Sequence, residues 1–396
     1  MKALSENKFM IVSLSALMSF ALTGVIHAYP PDNAALLYYR MCLRYQPDRA
    51  IKNAIYDYAK GKIELTDQIK QFVEKNQYTI NLTLTATEIP NCDWGLETSE
   101  GLSAPLPPLA CLRGLSMLVI ADAKIHAEQG DYITALEEAV SVKKIAPHVS
   151  NDWLVGNLVG YSINLVAASC IQGILSDMSE DLETLLWLKN ELVDISNKHV
   201  LAKSALITEA KLVTQDFRTE KTDEILSMIS DGGMSAERNL KLLQGRIRNA
   251  DESFYQKNKV YYQELTARII AILDMDAGYP QTVAKLKEIA EKPMIEVQEN
   301  PDATLAAAFM PALTKMYNHS IRTKTFSNAI RTAVEIYIIK AKTGKMPDSL
   351  PAGLPGDLFS GKPFQYEKTA DGFILRCRGK DLVENKIHEY EFKIKK

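Results

Sequence analysis

Apolar residues recur three and four positions apart through most of the chain, which is the spacing of amphipathic helices. In the stretch DNAALLYYRMCLRYQ, Leu36, Tyr39 (or Arg40) and Leu43 form one such stripe, and Asp32 is a candidate amino-terminal cap. Similar stretches follow one another, separated by short polar breaks. The pattern predicts a mainly α fold in which the helices pack as a multi-helix hairpin array.

The pattern changes to strict alternation near the carboxyl end, and we predict no strand before residue 360. The runs PFQY, GFILRC and HEYEFKIKK alternate, with a turn at Thr369–Gly372 between the first two. We expect a small three-stranded antiparallel sheet that packs on the preceding helix, Phe326 to Lys342, because an isolated hairpin is marginal in water. The alternating residues are Phe364, Tyr366, Phe373, Leu375, Cys377, Tyr390, Phe392 and Ile394.

The first 28 residues have the pattern of a signal peptide. Lys2 and Lys8 precede an apolar run from Phe9 to Ile26, and the small residue Ala28 follows as a cleavage position. The run has 18 residues, just short of the ~20 that span a bilayer, so an uncleaved anchor is the alternative. Either interpretation predicts export across the inner membrane, to the periplasm or the extracellular medium.

The patterns divide the rest of the chain into two predicted parts. Residues 29–315 form a helical domain, and residues 316–396 form a helix followed by the carboxyl-terminal sheet module. The expected boundary falls near Pro311–His319, although the two parts can share one core.

Composition narrows the range of partners. The chain has 396 residues and a formal net charge of −3, so it lacks the basic surface that nucleic acids require. No second apolar stretch approaches membrane-spanning length, which predicts a soluble mature body that contacts a membrane only through an uncleaved amino-terminal segment. The motifs of zinc hydrolases, c-type haem sites, nucleotide-binding loops and serine hydrolases are absent. We therefore expect no cofactor, metal or catalytic site, and a protein partner.

The five cysteines of an exported chain raise the question of a disulfide. Cys42 and Cys170 lie within apolar helical patterns, where a buried thiol is the usual state. Cys92 and Cys111 stand on either side of the longest loop, which is rich in proline and glycine. A bridge between these two would close a ~20-residue loop and contribute about 3 kcal/mol. The alternative is that both stay reduced.

The sequence NCDWG in this loop is the candidate site. Cys92, Asp93 and Trp94 stand together there, and we expect Trp94 to be buried against the helix that starts near Leu112, where it anchors the loop. One alternative is that Asp93 and Trp94 bind a ligand or partner. The other is catalysis, with Cys92 as the nucleophile and the distant His148 as its base.

The stretch GDYITALEEAVSVKKIAP resembles the second half of a tetratricopeptide repeat, with Ala123 as the small residue of the helix before it. Asp122 and His126 occupy places where that repeat prefers leucine and tyrosine, and no second copy follows at a period near 34 residues. The resemblance implies one helix hairpin. The residues that match the repeat are Gly130, Asp131, Tyr132, Ala135, Leu136 and Pro147.

The carboxyl-terminal stretch LPGDLFSGKPFQY, with the later DGFIL and RGKD, resembles the hairpin module of the major pseudopilins of type II secretion. The pseudopilins begin with a processed helix that this chain lacks, and their acidic calcium loop is reduced here to Asp381, Glu384 and Asn385. The resemblance therefore implies the local fold and not calcium binding. The order of the motifs along the chain is similar to that of a group of exported bacterial helical proteins.

These observations favour an exported, non-enzymatic scaffold or protein-binding protein of the bacterial cell envelope. An exported hydrolase that uses the loop around Cys92, Asp93 and Trp94 is the first alternative. A component of a secretion or pilus-like apparatus is the second.

Overall fold

The computed structural model describes residues 32–95, 97–150, 154–178, 181–197, 202–231, 237–275, 277–310 and 312–394. The predicted signal peptide lies outside these ranges. The described elements are α1 (Ala34–Arg44), α2 (Arg49–Ala59), α3 (Asp67–Lys75), α4 (Gln77–Thr87), α5 (Leu109–Glu128), α6 (Tyr132–Val149), α7 (Leu154–Asp177), α8 (Leu182–Asn197), α9 (Ala202–Gln215), α10 (Thr222–Asp231), α11 (Glu237–Arg248), α12 (Glu252–Asp274), α13 (Gly278–Glu296), α14 (Thr304–Phe309), α15 (Leu313–Thr343), β1 (Gln365–Thr369), β2 (Gly372–Arg376) and β3 (Glu389–Lys393).

The fold is mainly helical with a small carboxyl-terminal sheet, as the sequence predicts. The three strands are antiparallel in the order β1-β2-β3. Within the described part of the chain, no strand precedes Gln365. The sheet packs on α15 as expected, since the rings of Tyr390 and Phe326 stack at 4.8 Å and Phe373 meets Tyr337 at 5.6 Å.

Two apolar cores hold the helices together. The first is built mainly from α1–α8, the middle of α15 and the sheet, together with Tyr279 and Val283 of α13. The second is built mainly from α9–α14 and the start of α15, together with Leu154 of α7. Leu313 and Met316 of α15 belong to the second core, whereas Ala329 to Ile338 belong to the first. The long helix α15 therefore joins the two cores. The division between the cores does not coincide with the predicted domain boundary at residue 315, and that boundary stays a prediction.

Helix α1 buries a different face from the one that the predicted apolar stripe indicates. Ala34, Ala35, Leu37, Tyr38 and Met41 are buried, mainly against α4. The predicted stripe lies on the outer surface of the helix, where its residues are exposed. Apolar residues occupy both faces of α1, so spacing alone does not decide which of the two is buried.

The only disulfide among the described residues joins α1 to α5 and not the two ends of the loop. Cys42 is bonded to Cys111, with the Cα atoms 5.7 Å apart and a separation of 69 positions along the chain. The predicted pairing of Cys92 with Cys111 is therefore wrong, as is the prediction of a buried thiol at Cys42. The cause is tertiary packing, because α1 lies near the start of α5.

Helix α7 contradicts the expectation that no second apolar stretch approaches membrane-spanning length. By length and composition alone, its 24 residues are long and apolar enough to cross a membrane. In this fold 56% of its most apolar window is buried, where α7 packs between α5, α6 and α15. A buried core helix passes the same test of length and hydropathy, so the finding is weak evidence for a membrane span.

The helices α5 and α6 form the hairpin that the tetratricopeptide resemblance implies. Gly130 ends α5 with φ +84°, a conformation that favours glycine. Asp131 then caps α6, since its Oδ1 accepts the N–H of Thr134 at 3.2 Å. The turn thus places the side chains of the last turns of α5 opposite those of the first turns of α6.

Two loops of the same design precede the outer strands of the sheet. DLFSGK spans 357–362 and DLVENK spans 381–386, and in each the first N–H donates to the sixth carbonyl. The fifth residue has positive φ in both, Gly361 with +69° and Asn385 with +57°. In both, the aspartate Oδ1 accepts the N–H two residues later. The two loops therefore close their turns in the same way.

Candidate functional site

Trp94 of the NCDWG loop is buried, as predicted, with 5% of its surface exposed. Its ring stacks on Tyr38 at 5.8 Å and meets Tyr39 edge-on at 5.4 Å. Its Nε1 donates to the carbonyl oxygen of His148 at 2.8 Å. The hydrogen bond and ring contacts thus come from α1 and the end of α6, and not from the helix near Leu112 that the sequence indicated.

Asp93 is exposed, and its backbone fastens the loop to the start of α1. Asn33 Nδ2 donates to the Asp93 carbonyl at 2.7 Å, and the Asp93 N–H donates back to Asn33 Oδ1 at 2.9 Å. Asn33 also caps α1 by accepting the N–H of Ala35. The Asp93 carboxylate accepts the N–H of Gly95 at 2.9 Å. These hydrogen bonds therefore join the loop to the first turn of α1.

Cys92 has the electrostatics of a protonated thiol. Burial, with the charge of Asp93 beside it, raises the pKa of Cys92 to about 12. A catalytic cysteine needs the opposite, because the thiolate is the nucleophile and requires neighbours that lower its pKa. His148, the proposed base, is buried with its Nδ1 3.0 Å from the hydroxyl of Tyr38. The geometry thus disfavours the hydrolase alternative.

An apolar patch covers the outer surface of α1, beside the anchored loop. Leu36 is 57% exposed, Tyr39 39% and Leu43 83%. These positions lie on one side of the helix because they are three and four residues apart. Single exposed apolar residues are common, but an aligned group of large ones is typical of an interaction surface.

Two arginines lie next to this patch. Arg44 stands 4.9 Å and Arg40 5.9 Å over the ring of Tyr78, an exposed residue of α4. Helix α1 carries no acidic residue. We call this surface the α1 face, and it consists of Leu36, Tyr39, Arg40, Leu43, Arg44 and Tyr78.

A second group of polar residues lies inside the helix hairpin. Asp122 and His126 are one turn apart on α5, and Glu138 faces them from α6. His126 Nε2 is 3.9 Å from Asp122 Oδ1 and 4.0 Å from Glu138 Oε1. His126 Nδ1 is 3.6 Å from Oδ2 of Asp131 in the turn. We call Asp122, His126 and Glu138 the hairpin cluster.

Burial controls the charges of the hairpin cluster. Asp122 is 3% and Glu138 5% exposed, and burial raises the pKa of both carboxyl groups. The neighbouring Asp122 adds to the effect on Glu138, whose pKa reaches about 9. Gln77 Nε2 donates to Asp122 Oδ2 at 2.9 Å. Glu138 Oε2 is buried without a hydrogen-bond partner in the described part of the chain.

A third group, in the second of the two aspartate loops, is closed by hydrogen bonds. Asp381 Oδ2 lies 3.0 Å from both Asn318 Nδ2 and His388 Nε2, and its Oδ1 accepts the N–H groups of Val383 and Glu384. Burial alone would raise the pKa of Asp381, but these hydrogen bonds lower it below its usual range. The carboxylate is already satisfied, which suits a structural role.

Lys143 is a buried lysine that the sequence did not single out. It is 3% exposed at the junction of α6, α7 and α15, and its Nζ donates to Asn164 Oδ1 at 2.6 Å and to Ser327 Oγ at 3.2 Å. Burial lowers the pKa of Lys143 to about 7. Near neutral pH the group is therefore divided between its charged and neutral forms, and it is hydrogen-bonded to an amide and a hydroxyl group.

Of these groups, the sequence pointed to the NCDWG loop, to Asp381 and Glu384 through the pseudopilin resemblance, and only indirectly to the hairpin cluster. The signal for the cluster was that Asp122 and His126 depart from the apolar preferences of the repeat. Glu138 carried no signal, because glutamate is ordinary on an exposed helix face.

Comparisons with known proteins do not identify this fold or these sites. No protein-family model matches the chain, and neither a curated protein nor a solved structure gives a significant match. The resemblances to the tetratricopeptide repeat, the pseudopilin module and exported helical proteins therefore stay predictions from the sequence.

Proposed function

We propose that this chain is an exported, non-enzymatic helical protein of the bacterial cell envelope, and that it binds a partner protein through the α1 face. The observation that carries the proposal is the exposure of Leu36, Tyr39 and Leu43 in one line on α1. Removing a leucine side chain fully from water contributes roughly 1.5–3 kcal/mol, a gain that the isolated chain leaves unused at this surface.

The chemistry of the α1 face indicates the kind of partner. Tyrosine and arginine are among the residues that dominate binding energy at protein interfaces. Arg40 and Arg44 give α1 a positive charge that no acidic residue of that helix offsets. We therefore expect the partner to present an apolar segment flanked by aspartate or glutamate, and we expect salt to slow the association.

The support beneath the α1 face is rigid, which favours binding. The disulfide from Cys42 to Cys111 fastens one end of α1. Asn33 and the loop around Trp94 fasten the other. A surface that is ordered before it binds loses less conformational entropy on association.

The test places a photo-cross-linking amino acid at Leu43 in the protein produced in its own host. The matched control carries it at Ile295, a residue of α13 that is 70% exposed. We expect one discrete cross-linked partner from position 43 and none of the same mass from position 295. Equal yields from both positions would contradict a specific surface.

The purified partner then permits a quantitative experiment. Leu43→Glu should weaken its binding at least tenfold, because the substitution puts a charge in the interface, whereas Ile295→Glu should leave binding unchanged. Unchanged affinity of the Leu43→Glu variant would refute the proposal. Binding of anionic lipid vesicles in place of the protein would refute it as well.

Export is the other half of the proposal, and it depends on residues 1–28. These residues, fused to an alkaline phosphatase that is active only after export, should produce activity in intact cells. Replacing Leu14 and Leu17 by aspartate should abolish it, because the apolar run is what the export machinery recognises. Activity that persists in this variant would contradict the assignment.

A further inference from the structure

We propose that the hairpin cluster, Asp122, His126 and Glu138, binds one divalent transition-metal cation between α5 and α6. The ligand atoms of the three residues all lie within 4.8 Å of one another. One imidazole nitrogen and two carboxylate oxygens are a donor set that Zn²⁺ and its neighbours accept. The site is independent of the α1 face and of the partner proposed for it.

The distances from His126 fit a shared cation better than direct hydrogen bonds, whereas the carboxyl groups of Asp122 and Glu138 are in hydrogen-bonding contact with each other. His126 Nε2 is 3.9 Å from Asp122 Oδ1 and 4.0 Å from Glu138 Oε1, which is too long for a hydrogen bond. Ligand atoms around a tetrahedral Zn²⁺ stand about 3.4 Å apart. The observed separations exceed this by about half an ångström, which small rotations of the side chains supply.

One buried oxygen of Glu138 supports the same conclusion, although the carboxyl group also contacts Asp122. Glu138 is 5% exposed, and its Oε2 has no hydrogen-bond partner among the described residues. A buried polar atom without a partner is costly. A cation beside the Glu138 carboxylate removes this cost and separates it from the charge of Asp122.

The surroundings of the cluster resemble those of bound metals. Histidine ligands commonly present their second ring nitrogen to a carboxylate, which fixes the orientation of the ring. Here Nδ1 of His126 faces Asp131 Oδ2 at 3.6 Å, and Asp131 is itself held in place as the cap of α6. Gln77 orients the carboxylate of Asp122 in the same way.

The location determines what the cation does. The His126 side chain is 30% exposed, so a cation can enter from solvent and keep a water molecule as its fourth ligand. Its protein ligands come from both arms of the hairpin. The bound cation therefore clamps α5 to α6 next to the turn at Gly130.

The experiment uses Co²⁺ as a coloured probe for Zn²⁺. Purified protein, treated with chelator and then dialysed, is titrated with Co²⁺ and read by visible absorption and by metal analysis. We expect one Co²⁺ per chain, displaced by Zn²⁺. We also expect the unfolding midpoint to rise by roughly 4 °C at a hundredfold excess of Zn²⁺ over its Kd.

Three variants locate the cation. Glu138→Gln and His126→Ala should each lower the affinity at least tenfold. Glu137→Gln, at the exposed neighbouring position on α6, is the matched control and should bind as the unaltered protein does. Circular dichroism checks that each variant is folded.

Two results would overturn the proposal. One is the absence of stoichiometric Co²⁺ in the unaltered protein, which would mean that Asp122 and Glu138 only share a proton. The other is binding that survives both Glu138→Gln and His126→Ala, which would place the cation elsewhere in the chain.

Discussion

Lys143→Met removes a buried ammonium group, and the effect of this change on stability depends on pH. Burial lowers the pKa of Lys143 from its usual 10.5 to about 7 in the folded protein. The unfolded chain keeps its proton up to the usual value. Methionine has a similar length and no charge, so it keeps most of the packing between α6, α7 and α15.

The sign of the effect follows from proton binding. Between pH 7 and 10.5 the unfolded chain holds a proton that the folded protein has lost, so the free energy of unfolding rises with pH. Below pH 7 both states are protonated, and the penalty for burying the charge is complete. A shift of this size corresponds to at most about 5 kcal/mol, of which roughly 2.5 kcal/mol is relieved between pH 6 and pH 9.

The measurement is the free energy of unfolding by urea, for both proteins, at several values of pH from 6 to 9. We expect Lys143→Met to lack the rise of the unaltered protein, so that its relative stability is highest at pH 6. The lost hydrogen bonds to Asn164 and Ser327 lower its stability by a similar amount at every pH. The loss of these hydrogen bonds therefore does not change the slope of the free energy of unfolding against pH.

Lys144→Met is the matched control. Lys144 is the next residue on α6, and although burial alone would lower its pKa, Glu88 and Glu191 raise it above its usual value. The group keeps its proton in both states across the tested range, so this variant should run parallel to the unaltered protein. A Lys143→Met curve that is also parallel between pH 6 and pH 9 would refute the reasoning.

Three further predictions concern stability. Cys42→Ala should lower the free energy of unfolding of the oxidised protein by about 4 kcal/mol, because the bridge closes a loop of 69 residues. Peptide mapping of the unaltered protein should recover the link from Cys42 to Cys111, and any other partner for Cys111 would contradict the prediction. Trp94→Ala should cost ~3–5 kcal/mol as a large-to-small core change, measured by urea unfolding; a loss below 1 kcal/mol would show that Trp94 is no anchor. Asp381→Ala leaves the donors of Asn318 and His388 without their acceptor, so amide hydrogen exchange should increase first in β3; an increase that begins elsewhere would argue against a local role.

Local patterns were sufficient to predict the helices, the strands and the packing of the sheet. Helix spacing and strand alternation are properties of neighbouring residues, so they can be read without knowing the fold. The packing on Phe326 and Tyr337 followed because a small sheet needs an apolar support and α15 directly precedes it along the chain. The burial of Trp94 could be predicted for a similar reason, since a large aromatic residue in a polar loop is usually an anchor.

Features that depend on which helices meet could not be predicted. Cys42 and Cys111 are distant in sequence, and their pairing requires α1 to lie near the start of α5. The orientation of α1 depends on the same packing, because both of its faces are apolar. The hairpin cluster needs the register of α5 against α6, which places Glu138 opposite His126.

The two aspartate loops make the carboxyl-terminal sheet a duplicated unit. Residues 357–369 and 381–393 each comprise a loop and an outer strand, and the second copy repeats Asp, Leu, Lys, Tyr and Glu of the first at equal spacing. Both outer strands pair with β2, so the central strand lies between two strands that each follow a loop of the same backbone design. The strands differ in what lies beneath them: β3 places Tyr390 and Phe392 in the core, whereas β1 is largely exposed. The two loops close in the same way but differ in their surroundings, because Phe359 of the first is buried in the core and Val383, at the same place in the second, is only half-buried. Exchanging the strands would remove Tyr390 and Phe392 from the core, and exchanging the loops would replace the buried Phe359 by a smaller side chain.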